Sequence, residues 1–138
     1  MLDLQREQML SHFLHLGVAF LLAIPVAVNR ELRSRGAGLR TFPLVSVASC
    51  GYMLLAMQVY SGSDAEAKVM YGLITGIGFI GGGAILKNAG NVSGTATAAS
   101  IWNTGAIGVS VAFSYYEIAI TLSLMNFAVG LKEVLFEN

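Results

Sequence analysis

Three glycines in the stretch ITGIGFIGGGAIL, residues 74–86, are spaced as G-x-G-x-x-G, the pattern of a loop that binds a dinucleotide pyrophosphate. They are Gly76, Gly78 and Gly81. That chemistry requires a preceding strand, a following helix and an acidic residue about 20 positions later that binds the ribose. Residues 96–101 contain no acid, and the motif lies within an uncharged apolar run. We therefore predict that the chain binds no nucleotide.

Two histidines form the second candidate site. His12 and His15 are three residues apart, so on a helix they would share a face and could ligate a metal ion. No carboxylate stands close by to complete a zinc site, so we predict none. The sequence also lacks the Ser-His-Asp, Cys-His and metal-hydrolase spacings, and its one cysteine, Cys50, lies among apolar residues. We expect no catalytic residues, no cofactor and no enzyme activity.

The composition of the chain predicts a membrane protein. Hydrophobic residues make up 55% of the 138 residues, charged residues 12%, and mean hydropathy is +0.68. A soluble domain typically has about 25% charged residues. The formal net charge is zero, so no overall field favours a nucleic-acid partner.

Five uncharged runs predict the architecture. Crossing a bilayer core of about 30 Å takes roughly 20 helical residues, and lipid offers the backbone no hydrogen-bond partners. We predict an all-α fold, a single polytopic membrane helix bundle of about five transmembrane helices in contact with the bilayer. The predicted spans cover residues 9–28, 41–60, 69–87, 95–114 and 117–136.

Basic residues predict the orientation of these spans. The loop at residues 29–40 holds half of the positive charges of the chain, namely Arg30, Arg33, Arg35 and Arg40. The positive-inside rule places this loop in the cytoplasm. The N-terminus then lies outside and the C-terminus inside.

Small residues predict how the helices pack, because membrane helices associate through close backbone approach. Two faces of the third helix carry glycines, namely Gly72, Gly76 and Gly83 on one and Gly78, Gly81 and Gly82 on the other. The fourth helix offers a matching stripe of Gly94, Ala98, Gly105 and Gly108. We predict that the third helix is central and crosses the fourth closely, so Gly76→Leu should weaken folding or assembly. Alternatively, the triplet at positions 81–83 breaks the third helix and lines an ion site.

Polar residues of the fourth helix allow two interpretations. Thr97, Ser100 and Thr104 form a hydroxyl row, and Asn103 points elsewhere. They either hydrogen-bond between helices, at about 0.6 kcal/mol each, or line a solute path. No carboxylate falls at mid-membrane, which argues against a cation transporter.

The basic loop also has two interpretations. Arg30, Glu31, Arg40 and Thr41 either set topology and contact lipid phosphates, or form a functional cluster that closes the cytoplasmic mouth of the bundle.

The sequence resembles the MgtC/SapB family of bacterial inner-membrane proteins. The resemblance is carried by RE at 30–31, AGLRT at 37–41, GIGFIGGGAIL at 76–86, TAASIW at 97–102 and AIG at 106–108. It extends over about residues 16–135 and covers the family's membrane domain, without its frequent C-terminal cytoplasmic domain. Asn29 stands where an acid often precedes RE, and Gly72 stands where a glutamine is common.

The resemblance implies a multi-pass protein of the bacterial inner membrane, in which the orientation predicted from the basic loop makes the N-terminus periplasmic and the C-terminus cytoplasmic. It implies a role in magnesium limitation, acid stress or virulence. Members of the family are generally regarded as modulators of other membrane proteins. We therefore expect a non-enzymatic modulator that binds another membrane protein, itself, or both. The alternative is a small oligomeric transporter or channel for a cation or solute.

Overall fold

The computed structural model describes residues 1–32 and 37–136. Those ranges contain, in chain order, α1 Leu2–Glu31, α2 Thr41–Val59, α3 Ser63–Gly82, β1 Leu86–Asn88, β2 Asn91–Ser93, α4 Thr95–Ala112 and α5 Tyr116–Phe136. The predicted all-α bundle of five helices is confirmed for this part of the chain. Arg33 and Arg35 of the predicted basic loop lie outside the described residues.

Two of the described helices, α1 and α2, are long and apolar enough to cross a membrane by length and composition. Their most apolar windows have mean hydropathies of 1.9 and 1.6, respectively. All five helices overlap the predicted spans, although α1 begins earlier, at Leu2, and α3 covers Ser63–Gly82 where residues 69–87 were predicted. That all five helices cross the membrane stays a prediction.

The fourth helix, not the third, is the centre of the bundle. Helix α4 packs against each of the other four helices, whereas α3 packs against α2 and α4. Residues of α4 are buried over a wide face, whereas Ile77 and Gly81 are the two buried residues of α3. The prediction of a central third helix is therefore wrong. The number of glycines suggested that the third helix lies at the centre of the bundle, but the burial of a helix depends on which of its faces meets a neighbour.

Close contact between α3 and α4 is present, but only one of the five glycines within α3 makes it. A Cβ on Gly81 would lie 3.1 Å from the carbonyl oxygen of Ala98, and Ile77 packs against Gly105. By contrast, a Cβ on Gly72, Gly76, Gly78 or Gly82 would meet no atom of the described chain within 4 Å. The packing predicted at Gly76 is therefore not made within this chain.

The third helix ends within its glycine triplet, as the broken-helix alternative placed it. Helix α3 stops at Gly82, and β1 and β2 then form an antiparallel hairpin instead of the predicted end of the span. The hairpin turns at Ala89 and Gly90, with φ of 47° and 87°. Positive φ at both central residues is the geometry of a two-residue type I′ turn.

Two serine side chains form hydrogen bonds that link α1 to its neighbours. Ser46 of α2 donates a hydrogen bond to the carbonyl oxygen of Ala19 at 2.7 Å, and Ser123 of α5 donates to that of Leu22, also at 2.7 Å. Both bonds lie on the second half of α1, upstream of Arg30. They fix the helix whose last turn carries the buried arginine.

Candidate functional site

An open cavity of about 250 Å³ lies between α1, α4 and α5. We call it the Arg30 pocket. Its walls come from one residue of α1, four of α4 and three of α5, namely Arg30, Ala96, Ala99, Ser100, Asn103, Met125, Asn126 and Val129. Alanines make the cavity possible, because larger side chains at positions 96 and 99 would fill it. Among the described residues, the wall contains a cation, a hydroxyl and two amides but no carboxylate.

Arg30 is the charged residue of this pocket and is only 6% exposed. It lies in the last turn of α1, where a cation interacts favourably with the helix dipole. Burying a guanidinium is costly without hydrogen bonds and countercharge. A buried arginine in an apolar bundle therefore marks a position where charge serves a purpose.

Asn29, the residue before Arg30, aligns α1 with α5. Its side-chain amide donates a hydrogen bond to the carbonyl oxygen of Phe127 at 3.4 Å. Gly130 makes room for this amide, since a Cβ at that position would overlap it. The pair Asn29 and Gly130 thus holds the last turn of α1 against α5, and Arg30 with it.

Hydrogen bonds between α4 and α5 build the opposite wall of the Arg30 pocket. Ser100 donates to Oδ1 of Asn126 at 3.0 Å, and Asn103 donates to the carbonyl oxygen of Leu122 at 3.3 Å. Nδ2 of Asn126 is buried and has no hydrogen-bond partner within the described part of the chain. An unsatisfied buried amide costs about 1–3 kcal/mol. This nitrogen is therefore an unsatisfied donor buried between α4 and α5, within the described residues.

The three residues of the hydroxyl row of α4 have different environments. Thr104 is fully buried and donates to the carbonyl oxygen of Ser100 in its own helix at 2.7 Å. Thr97 and Ser100 are also buried. Only Ser100 of the row, together with Asn103, lines the Arg30 pocket.

The four residues of the predicted cluster at the basic loop have different environments. Arg30 lines the pocket, whereas Glu31 is exposed and accepts a hydrogen bond from the backbone N–H of Leu39 at 2.9 Å. Arg40 is exposed ahead of α2, and Thr41 is the half-buried first residue of that helix. Glu31 therefore holds residues 38–39, and Arg30 is the one of the four that lines the Arg30 pocket.

The predicted small-residue positions divide into three groups. Gly105 and Gly108 face neighbouring helices inside the bundle, and Ala98 meets α3 at Gly81. Gly83 caps the end of α3, and Gly94 precedes α4 with φ of 85°. The remaining four are the α3 glycines that meet nothing within 4 Å: Gly72, Gly76, Gly78 and Gly82.

The histidine pair lies near the middle of α1, several turns before Arg30. Nε2 of His15 is 2.9 Å from the hydroxyl of Ser114 and 3.2 Å from that of Tyr116. Nδ1 of His15 is 2.6 Å from the carbonyl oxygen of Ser11. His15 thus joins α1 to the α4–α5 turn.

Asn126 is the polar residue of the pocket that sequence reasoning missed. It is an amide within the apolar run at residues 118–131, and an isolated polar residue in such a run is a usable signal. That signal does not identify the partner helix, which depends on the packing.

The sequence profile of the MgtC family matches residues 16–135. This chain belongs to the MgtC family. Among the curated relatives of this MgtC-family chain is the putative magnesium transporter YhiD of Escherichia coli K12, 35% identical over 112 residues, or 75% of this chain and 52% of YhiD. MgtC of Salmonella typhimurium LT2 is 31% identical over 121 residues, 88% of this chain and 52% of that protein. No solved structure matches.

A third relative, MgtC of Brucella abortus 2308, is 40% identical over 94 residues, which cover 68% of this chain and 39% of that protein. This MgtC-family chain spans about half the length of the first two relatives. Family membership and the two apolar helices together point to a bacterial membrane protein.

Proposed function

We propose that this MgtC-family chain is a non-enzymatic, multi-pass protein of the bacterial inner membrane that binds and modulates another membrane protein or a second copy of itself. We place its N-terminus in the periplasm and its C-terminus in the cytoplasm, as the basic loop favours. The physiology we propose is magnesium limitation, acid stress or virulence, in line with the family resemblance.

The observation that carries this proposal is the outer face of α3. Gly72 and Gly76 form a G-x-x-x-G pair, and a Cβ on either glycine would meet no described atom within 4 Å. On the same face, Thr75 is exposed and Phe79 is 87% exposed. Such a pair allows a second membrane helix to approach closely, with van der Waals packing as the driving force. The bundle itself uses the opposite side of α3.

Gly76→Leu tests this face. We expect the variant to fold normally, because position 76 meets no neighbour in the chain, and to lose most of its partner in cross-linking from native membranes. Gly17→Leu is the matched control, since Gly17 of α1 also has nothing within 4 Å but belongs to no such pair. Equal recovery of the partner with both variants would contradict the proposal.

A transporter remains the second candidate, because one relative is named a putative magnesium transporter. Divalent magnesium prefers carboxylate and other oxygen ligands. The described residues that line the Arg30 pocket include an arginine and no carboxylate, which favours the binding role. Magnesium influx by the purified chain into dye-loaded liposomes, above that of empty liposomes, would overturn our first proposal in favour of this one.

A further inference from the structure

We propose that a layer of tyrosines level with His15 binds the headgroup region of the outer leaflet, so that the start of α1 projects into the periplasm. The tyrosine layer consists of Tyr52 of α2, Tyr71 of α3, and Tyr115 and Tyr116 where α5 begins. This placement rests on the proposed function, since it takes the chain to cross the membrane with its N-terminus outside. It adds the depth at which the bundle sits in the bilayer.

The turn between α4 and α5 gives the first level. Residues 113–115 are not helical, and Ser114 has φ of 61°. Lipid-exposed backbone that is not helical does not occur within hydrocarbon, because it lacks hydrogen-bond partners there. Glu117, in the first turn of α5, is also exposed, and a carboxylate facing lipid is costly. The turn therefore lies at or beyond the edge of the hydrocarbon core.

His15 brings α1 to the same level. Its Nε2 is 2.9 Å from the hydroxyl of Ser114 and 3.2 Å from that of Tyr116, so this part of α1 lies beside the turn. A helix rises 1.5 Å per residue, so residues 2–14 extend about 20 Å beyond it. Residues 1–10 are all exposed, and three of them are charged. That composition suits water and headgroups and does not suit hydrocarbon.

Contacts of α2 and α3 place two further tyrosines at this level. A Cβ on Gly51 would lie 3.8 Å from the side chain of Leu16, so Tyr52 lies beside the same turn of α1. Helices α2 and α3 pack against each other across the short connection at residues 60–62. Tyr71 is about as far beyond this connection as Tyr52 is before it. The antiparallel pair therefore brings the two tyrosines to a similar height.

The chemistry of tyrosine identifies the partner of this layer as the lipid headgroup region. All four side chains of the tyrosine layer are exposed on the outside of the bundle. Tyrosine has an apolar ring and a polar hydroxyl, and it is enriched where hydrocarbon meets water. Exposed tyrosines on three helices at one height form such a boundary. Lipid-facing positions at mid-membrane have no use for the hydroxyl.

The opposite boundary agrees with this depth. From Tyr116 to the exposed Lys132, α5 rises about 24 Å. Tyr116 points toward the start of the helix, and a lysine extends its ammonium toward water, so together they match a core of about 30 Å. The first span then begins near His15, several residues after the start at position 9 that the apolar run predicted. Residues 9–14 lie among headgroups and water.

Three leucines of α1 test this depth. Leu10, Leu14 and Leu21 lie on one face of the helix and are 60%, 59% and 65% exposed, so they differ only in height. Each is replaced by cysteine in the full chain with Cys50→Ala, which removes the only other thiol. Spheroplasts are then treated with a membrane-impermeant maleimide, which reacts with thiolates in water and not with thiols in hydrocarbon.

We expect Leu10→Cys and Leu14→Cys to be labelled from outside, and Leu21→Cys to lose labelling until detergent is added. Tyr71→Cys and Gly78→Cys repeat the comparison on α3, because both positions are exposed and lie two turns apart on one face. We expect label at position 71 and none at position 78.

Protection of Leu14→Cys or Tyr71→Cys while Leu10→Cys is labelled would overturn the proposed depth and leave the proposed orientation standing. Labelling of Leu21→Cys in intact spheroplasts would also overturn the depth. Labelling of Leu10→Cys only in inverted vesicles would instead overturn the orientation given under the proposed function, and the outer-leaflet placement with it.

Discussion

Gly108→Ala is expected to lower the free energy of unfolding of the purified protein in detergent by about 1–3 kcal/mol, the usual cost of overpacking. Gly108 lies where α4 crosses α2, the closest helix contact of the described bundle at any α4 glycine. A Cβ at this position would overlap the carbonyl oxygen of Ser46 and lie 2.9 Å from Cβ of Ser49. The obstructing atoms include backbone, so the two helices must separate to admit a single methyl group.

Gly76→Ala is the control for this prediction. It is the same substitution within a helix, but a Cβ there meets nothing within 4 Å. Alanine exceeds glycine in helix propensity by about 1 kcal/mol, so this variant should be as stable as the unmodified chain or more stable. The unfolding midpoint in a denaturing detergent titration reports both. Equal stability of the two variants would contradict the placement of α4 at the centre of the bundle.

Gly94→Ala should destabilise the connection between α3 and α4 through two separate effects. Gly94 has φ of 85°, a left-handed conformation that costs an alanine about 1–2 kcal/mol. Its Cβ would also overlap the carbonyl oxygen of Ala84 and lie 3.0 Å from the carbonyl carbon of that residue. We expect the overlap to add about 1–3 kcal/mol, because the hairpin must move away from the start of α4.

Gly90→Ala separates the two effects. Gly90 has nearly the same φ, 87°, but a Cβ there meets nothing within 4 Å. The Gly90→Ala variant should therefore lose only the part of the free energy of unfolding that comes from the left-handed backbone conformation. The rate of limited proteolysis within residues 83–94, together with the unfolding midpoint, measures the difference. Identical behaviour of the two variants would show that the close approach of Ala84 to Gly94 does not exist in solution.

The helices were predictable from the sequence, and their arrangement was not. Charge-free apolar runs determine which segments become helical, because each run is long and bounded by charges. The centre of the bundle depends on pairing between distant segments. Glycines on α3 gave the same local signal as Gly105 and Gly108 on α4, yet of the α3 glycines only Gly81 meets atoms of another helix. The hairpin was missed because its residues lack the alternating apolar pattern of a strand.

The site was predictable in part. Arg30, Ser100 and Asn103 were singled out from their types and positions, and all three line the Arg30 pocket. Glu31 and Arg40 were grouped with Arg30 by sequence proximity, but neither lines the Arg30 pocket. Asn126 and Gly130 contribute through contacts with α4 and α1 that no local pattern specifies. Long-range packing therefore decides which polar residues share a site.

Cysteine-directed cross-linking from Thr75 tests the central claim, that the outer face of α3 meets a partner, most directly. Cys50 is the only cysteine and is fully buried, so a Cys50→Ala background leaves one reactive thiol. Thr121→Cys on α5 is the matched control, because both threonines are exposed and bond to the backbone four residues earlier in their helices.

With a membrane-permeant thiol photo-cross-linker in native membranes, we predict a discrete higher-mass adduct from Thr75→Cys, absent from Thr121→Cys and lost when Gly76→Leu is added. A Thr75→Cys chain that stays monomeric, or an adduct that survives Gly76→Leu, would contradict the account.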